Sequence, residues 1–262
     1  MTTAGSWGGL RRDLESAAAA GRTVAFWWRD DDCAQPSARL DTLLALREEL
    51  AVPVALAVIP FGAASLDPLF DRLRGSRGVT LVQHGAYHRN HSPSARVATE
   101  IGGFRPLAEI LGELREAQAA LLRGAAAVAV EPVLVPPWNR IRMDVLPHLR
   151  GMGFRGLSAN GPRRSRVRDD LAVANVHLDL VDWQAGERCL DESTAVETLR
   201  AQIARVVATE ADEAEPIGIN THHMIATGET WQILRRLVGE TTAAGAHWPA
   251  VAGIFGNPHG DH

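Results

Sequence analysis

Cysteine is scarce in this sequence of 262 residues. The only two, Cys33 and Cys189, lie far apart and match neither the spacing of a cysteine metal site nor that of a redox pair. They provide no disulfide framework, and a reducing compartment is the simpler interpretation. The sequence therefore argues against both a disulfide-stabilised scaffold and a cysteine-based metal site.

Long apolar runs are also missing. One uncharged and largely apolar stretch, residues 51–66, contains two prolines and is shorter than the roughly 20 residues that a membrane-spanning helix needs. The N-terminal segment has no apolar core of the signal-peptide type, because its alanine run follows charged residues. We therefore expect a cytoplasmic protein with no membrane partner.

Positive charge is not in excess. The chain has 27 Lys and Arg against 31 Asp and Glu, which gives a net charge of −4. Nucleic-acid-binding proteins usually carry a basic stripe, so we expect no nucleic-acid partner. The length suits one large domain, and we predict a single domain over residues 1–262, with its core at about 22–245 and a polar tail at 256–262. The sequence predicts no particular oligomeric state.

Apolar runs alternate with helical patterns along the chain. Helical periodicity is clearest over Ser37 to Leu50 and Pro106 to Arg123. Such alternation implies parallel strands joined by crossover helices, and continuous apolar runs imply strands that are buried on both faces. We predict an α/β fold, a distorted (β/α)7 barrel. Its strands are expected at residues 24–28, 54–59, 79–82, 133–135, 154–158, 173–181 and 217–221.

Polar side chains suited to chemistry follow several of these predicted strands. In a (β/α) barrel the carboxyl ends of the strands share one rim, where the active site forms. Residues from distant parts of the sequence are therefore expected to line one pocket. They are Asp30 to Asp32, His84, His88, Trp138, Asn139, Asp182 and His222.

Two groups among these residues indicate a metal site. His84 and His88 are four residues apart, so on a helical turn their imidazoles lie on one face and can bind one ion. Surface or capping histidines show the same spacing. Asp30, Asp31 and Asp32 repel one another unless a cation offsets them, and a strand that bends into a loop lets two of them converge. Capping of the next helix is the alternative, although Ser37 is the better cap.

These features, in this order, resemble the polysaccharide deacetylase (NodB-homology) family, whose members remove acetyl groups from N-acetylated sugars. The acidic run looks like the family's Thr-Phe-Asp-Asp-Gly motif, with Asp31 as base and Asp32 as metal ligand. A shift by one residue, to Asp30 and Asp31, remains open. His84 and His88 match the family's His-x-x-x-His motif.

The later motifs of the family follow in the same order. Residues 135–139, Val-Pro-Pro-Trp-Asn, look like Arg-Pro-Pro-Tyr-Gly without the arginine and the glycine. Residues 179–183 match Asp-x-x-Asp-Trp, and residues 221–222 match the strand-end histidine. The family arginine steadies the catalytic aspartate, which Val135 cannot do. Arg29 or Arg140 could substitute for it.

The resemblance implies a metal-dependent hydrolase. Its divalent ion would be Zn²⁺, with Co²⁺, Ni²⁺ or Mn²⁺ as alternatives, held by Asp32, His84 and His88. Asp31 would be the base, and His222, in preference to His223, would be the acid oriented by Asp182. A backbone N–H near Tyr87 or Pro136 would help to stabilise the oxyanion. The substrate, a small molecule or a glycan, would contact Trp138, Pro137, Asn139, Trp183 and Tyr87.

Two other functions fit the same barrel. One is a cyclic imide or ureide hydrolase, in which the polar segment 85–105 covers a small pocket. The other is a catalytically silent barrel that binds a metal or a glycan, which the missing arginine favours.

Overall fold

The computed structural model describes residues 6–94, 97–210 and 214–256, and within these ranges no helix combines the length and apolar character needed to cross a membrane. The strands are β1 Phe26–Cys33, β2 Val54–Val58, β3 Val79–His84, β4 Ala129–Val135, β5 Gly156–Leu157, β6 Val167–Arg168, β7 Leu171–Val173, β8 Val176–Asp179, β9 Val181–Asp182, β10 Arg188–Cys189 and β11 Ile217–Thr221. The helices are α1 Trp7–Ala19, α2 Ala38–Leu50, α3 Asp67–Leu73, α4 Leu107–Leu122, α5 Leu146–Leu149, α6 Glu192–Ala208, α7 Gly228–Ala243 and α8 Val251–Phe255.

One sheet of nine strands organises the fold, in the order β6-β7-β5-β4-β3-β2-β1-β11-β8. All neighbours are parallel except β6 and β7, which form an antiparallel edge. The sheet is curled and covered by alternating helices. This arrangement confirms the predicted distorted (β/α)7 barrel.

The run at residues 173–181 was predicted as one strand but forms parts of several. β7 pairs with β5 and β8 pairs with β11, so two consecutive strands lie at opposite ends of the sheet. Asn175 separates them, because its side chain accepts from Ala159 N and donates to Gly161 O, both at 2.8 Å. At Asn175 these side-chain bonds replace the backbone hydrogen bonds that would join β7 and β8 into one strand.

Side-chain alternation on β1 divides its residues between two environments. Trp27 belongs to a small apolar cluster that Phe255 of α8 closes, at a ring distance of 5.6 Å. Phe26 and Trp28 pack in the larger cluster beneath the helices. Since successive strand residues point to opposite faces, Arg29 and Asp31 share the face of Trp27, and Asp30 shares that of Trp28.

The predicted helices are present with shifted ends. Ser37 caps α2, because its hydroxyl accepts from Leu40 N at 3.1 Å, as the sequence predicted. The β9–β10 hairpin and α8 were not predicted, since both are too short for a periodic pattern. Of the predicted polar tail, residues 257–262 lie outside the described residues.

Candidate active site

A cavity of 790 Å³ opens at the carboxyl ends of the strands. It brings together the predicted base, the predicted metal ligands and the predicted acid, which come from β1, the end of β3 and the residue after β11. The cavity lining includes Asp31, Asp32, His84, His88, Trp138, Asn139, Arg140, Asp179, Trp183, Glu187 and His222.

Asp32, His84 and His88 form the candidate metal site. Asp32 Oδ1 lies 3.2 Å from His84 Nε2 and 3.3 Å from His88 Nε2, and the potential ligand atoms are all within 4.8 Å of one another. Asp32 Oδ1 is buried and has no hydrogen-bond partner among the described residues. One carboxylate and two imidazoles are donors typical of catalytic zinc sites, so these residues fit a divalent ion.

The backbone of Asp32 explains how adjacent aspartates reach one cavity. Its φ of 67° is left-handed, and the pairing of β1 with β2 shifts register between Asp30 and Cys33. The strand therefore bends at its end, and Asp32 turns to the same side as Asp31. Burial alone would raise the pKa of Asp32, but His84 and His88 lower the pKa well below its ordinary value.

Each histidine is oriented by a different contact. His84 Nδ1 lies 3.0 Å from the carbonyl oxygen of Val135, which suits donation from Nδ1 and leaves the Nε2 lone pair facing Asp32. The His88 ring packs against the Trp138 ring at 4.2 Å. Both histidines therefore direct a nitrogen towards the Asp32 carboxylate.

Arg29 holds the candidate base. Its Nη2 lies 2.8 Å from Asp31 Oδ2, and it also donates to Asn139 Oδ1 at 2.9 Å and, through Nη1, to Ser158 Oγ at 2.8 Å. Burial alone would raise the pKa of Asp31, but the Arg29 guanidinium, aided by His84 and His222, lowers the pKa. Of the two arginines that the sequence offered in place of the family arginine, Arg29 is therefore the one that contacts Asp31. Arg140 instead donates to Ala98 O at 2.8 Å.

Asn220 on β11 is a site residue that the sequence reasoning missed. Its Nδ2 is 3.1 Å from Asp31 Oδ2 and 3.4 Å from Asp179 Oδ2. It is fully buried. Alternation could have found it, because a residue two positions before His222 on a strand faces the same side.

Asp179, and not Asp182, lies beside His222. His222 Nδ1 is 3.6 Å from Asp179 Oδ1, and its Nε2 is 3.9 Å from Asp31 Oδ2. Burial opposes the charge on this imidazole, but Asp179 and Asp31 raise its pKa to about 9. Asp182 Oδ1 accepts from the backbone of Gln184 and Ala185, both at 3.0 Å. This position corrects the prediction that Asp182 orients His222, because its carboxylate stabilises the β9–β10 turn.

Asp30 and His223 lie behind the cavity. Asp30 Oδ1 is 2.5 Å from His223 Nδ1, and Oδ2 accepts from Thr221 Oγ1 at 2.5 Å and from His223 N at 3.0 Å. Both side chains are buried. This pair belongs to the opposite face of its strands, so Asp31 and Asp32 of the acidic run and His222 of the histidine pair line the cavity.

The predicted substrate-binding residues divide into two groups. Trp138, Asn139 and Trp183 line the cavity. Trp183 is 48% exposed, donates to Asp179 Oδ2 at 3.0 Å and packs edge-on against His222 at 4.8 Å.

Pro137 and Tyr87, the other two residues predicted to contact the substrate, are not among the residues that line this cavity. Pro137 is buried behind Gly85. The Tyr87 ring packs on Phe61 at 4.9 Å. Its backbone N–H donates to Glu100 Oε1 at 2.7 Å and is therefore not free for an oxyanion.

No protein-family model and no curated protein matches the sequence. Solved structures do match. A polysaccharide deacetylase from Bacillus cereus matches with a TM-score of 0.52 and 15% identity, over 87% of this chain and 92% of that chain. The fold is that of the polysaccharide deacetylases.

Two further solved structures share this fold. A family 4 acetyl xylan esterase from Clostridium thermocellum, in complex with a cobalt ion, matches with a TM-score of 0.52 and 13% identity, over 88% of this chain and 89% of that chain. A mutant of a CE4-family pseudoenzyme with restored activity matches with a TM-score of 0.54 and 11% identity, over 90% of this chain and 68% of that chain. At this identity the likeness is one of fold.

Proposed function

We propose that the chain is a metal-dependent hydrolase that removes an acetyl group from an N-acetylated sugar or a related amide. One observation carries the proposal. Asp32, His84 and His88 converge as possible ligands of one ion, and Asp31 and His222 line the same cavity. A carboxylate base and a histidine acid beside a metal site suit the hydrolysis of an acyl group.

The residues around the site have distinct roles in this proposal. A bound divalent ion would polarise the acyl carbonyl and lower the pKa of a bound water towards about 7. Asp31 would accept a proton from the attacking water through Oδ1, a buried atom without a hydrogen-bond partner in the described chain. Arg29 and Asn220 hold the other oxygen, Oδ2.

His222 would protonate the leaving group. Its raised pKa, about 9, keeps the imidazole protonated near neutral pH. Its Nε2 faces the cavity side occupied by Asp31, while Nδ1 faces Asp179. Asp179 therefore orients the acid and stabilises its charge.

The chemistry of the ligands supports the choice of metal, and the fold neighbours support both the metal and the substrate class. Two imidazoles and a carboxylate suit Zn²⁺, Co²⁺ and Ni²⁺ better than a hard ion. The carboxylate is also a ligand that Mn²⁺ accepts. The fold neighbours named above act on a polysaccharide and on acetyl xylan, and one holds cobalt. Trp138 and Trp183 offer indole surfaces to the apolar face of a sugar ring.

The catalytically silent barrel is the second candidate, because one fold neighbour is a pseudoenzyme. Loss of the family arginine favoured it at the level of sequence. Arg29 restores a guanidinium on the base, which supports the active form.

We also propose a cytoplasmic location, which the two free cysteines support.

Metal analysis followed by an activity panel tests the function. Wild-type protein purified without chelators should hold about one ion per chain, as a three-ligand catalytic site does, and the His84→Ala, His88→Ala double variant should hold none while remaining folded. The panel would contain N-acetylated sugar oligomers, acetylated xylan and small cyclic imides, with Asp31→Asn as control. Hydrolysis of imides alone would support the imide hydrolase, and metal without any hydrolysis would support the silent barrel.

A further inference from the structure

A buried glutamate outside the metal site contacts the turn that carries both histidines. Glu100 is 2% exposed. Its Oε2 accepts from Ala86 N at 3.1 Å, and its Oε1 accepts from Tyr87 N at 2.7 Å. These two amides belong to consecutive residues between His84 and His88. Successive backbone N–H groups that point to one side form a concave site for an anion, and Glu100 fills it.

The glycine in this turn shows how closely the carboxylate approaches. Gly85 has a φ of 59°, and a Cβ at this position would clash with the Glu100 carboxylate and with Pro137. His88, at the other end of the turn, has a φ of 55°. The backbone is therefore left-handed at both ends of the turn, at Gly85 and at His88. The two amides that donate to Glu100 lie between these residues.

The segment that carries Glu100 is itself anchored on two sides. Thr99 O accepts from His91 N at 2.9 Å, which ties the segment to the chain after His88. Ile101 O accepts from Arg142 N at 2.9 Å, which ties it to the chain after Trp138. The backbone on both sides of Glu100 is therefore held in place, and its carboxylate accepts hydrogen bonds from the turn in a fixed position.

We infer that Glu100 is a positioning residue, whose bonds to Ala86 and Tyr87 hold His84 and His88 at the separation that one divalent ion requires. The inference rests on the proposed metal site. The rings are also oriented separately, His84 by Val135 O and His88 by packing against Trp138, whereas the separation of the two residues depends on the turn between them. Partners outside the ligand shell commonly change metal affinity by about 10–100-fold when they are replaced.

Zinc affinity of metal-free protein, measured by competition with a chromogenic chelator, tests the inference. Glu100→Gln keeps the size of the side chain but places an NH₂ group against one of the amides. We expect it to weaken zinc binding about 10–100-fold and to change the visible spectrum of the Co²⁺ form. Glu100→Asp keeps the charge with a shorter reach, so it should weaken binding by less.

Glu215→Gln is the matched control. Glu215 is equally buried and also accepts from two backbone amides, Arg163 N at 2.9 Å and Asn175 N at 3.0 Å. It should lower Tm without changing zinc affinity. Wild-type affinity in Glu100→Gln, or in Glu100→Asp if the first variant does not fold, would overturn the inference.

Absence of zinc and cobalt binding in the wild type is a separate outcome. It would remove the proposed metal site itself, and the inference with it.

Discussion

Arg29 Nη2 lies 2.8 Å from Asp31 Oδ2, and both side chains are fully buried. The two residues are two positions apart on one strand, so they point to the same face. Val135, the position that matches the family arginine, lies on a different strand, β4. The base is therefore paired with a guanidinium from its own strand.

Arg29→Met should impair both activity and stability. Burial would then act on Asp31 without its main opposing charge, so its pKa should rise and the acid limb of kcat/KM should move to higher pH. A buried charge that loses its partner costs about 3–5 kcal/mol in the free energy of unfolding. Arg235→Met, which breaks the exposed pair with Glu49, should leave the free energy of unfolding nearly unchanged, because solvent screens such pairs. An unmoved acid limb would contradict the role given to Arg29.

Asp179→Asn should move the alkaline limb of kcat to lower pH. The Asp179 charge helps to raise the pKa of His222 to about 9, so without it the acid loses its proton at lower pH. Asp182→Asn is the matched control, because that carboxylate contacts only turn amides among its described bonds. A pH profile of each variant on one substrate decides between them. Equal shifts in both would show that His222 does not depend on Asp179.

Asn220→Leu should reduce kcat by about tenfold or more. Its amide donates to Asp31, and a hydrogen bond to a charged group is worth about 1.5–3 kcal/mol. Asn220→Asp should be worse, because a further carboxylate beside Asp31 raises the pKa of the base. Steady-state kinetics with unfolding curves separates this effect from misfolding. Wild-type kcat in a folded Asn220→Leu protein would refute the role of Asn220.

His222→Ala and His223→Ala should have contrasting effects although the residues are adjacent. Loss of the cavity histidine should reduce kcat by about 10²–10⁴-fold with the fold retained. Loss of His223 removes the partner of buried Asp30 and should lower the free energy of unfolding by about 3–5 kcal/mol. Urea unfolding and kcat of both variants test this assignment. The reverse pattern would exchange the two roles.

Strand-end position predicted much of the site. Asp31, Asp32, His84, His88 and His222 share the cavity because parallel strands end at one rim. Alternation explains why Asp30 and His223 turn away from it, whereas the bend at Asp32 breaks the alternation and keeps that residue on the side of Asp31. These relationships follow from local backbone geometry, which a single sequence does contain.

Other contacts depend on where the chain bends, which the sequence pattern did not reveal. Asp182 was predicted because it follows the predicted strand 173–181, whereas in the structure Asn175 interrupts this run through bonds to Ala159 and Gly161, and β8 ends at Asp179. Glu100 was not singled out because its partners are backbone amides, which leave no residue signature. The position of such groups requires the tertiary structure.

Pairing of β1 with β11 determines when the site can assemble during synthesis. Asp31 and Asn220 are 189 residues apart in the chain. At about 5–20 residues per second, roughly 10–40 s separate the emergence of the base from that of its partner. Throughout this interval the Asp31 carboxylate has no Asn220 or His222 to face. An N-terminal fragment that ends before β11 would therefore expose the edge of β1 and its aspartates, because the strand that pairs with this edge is missing.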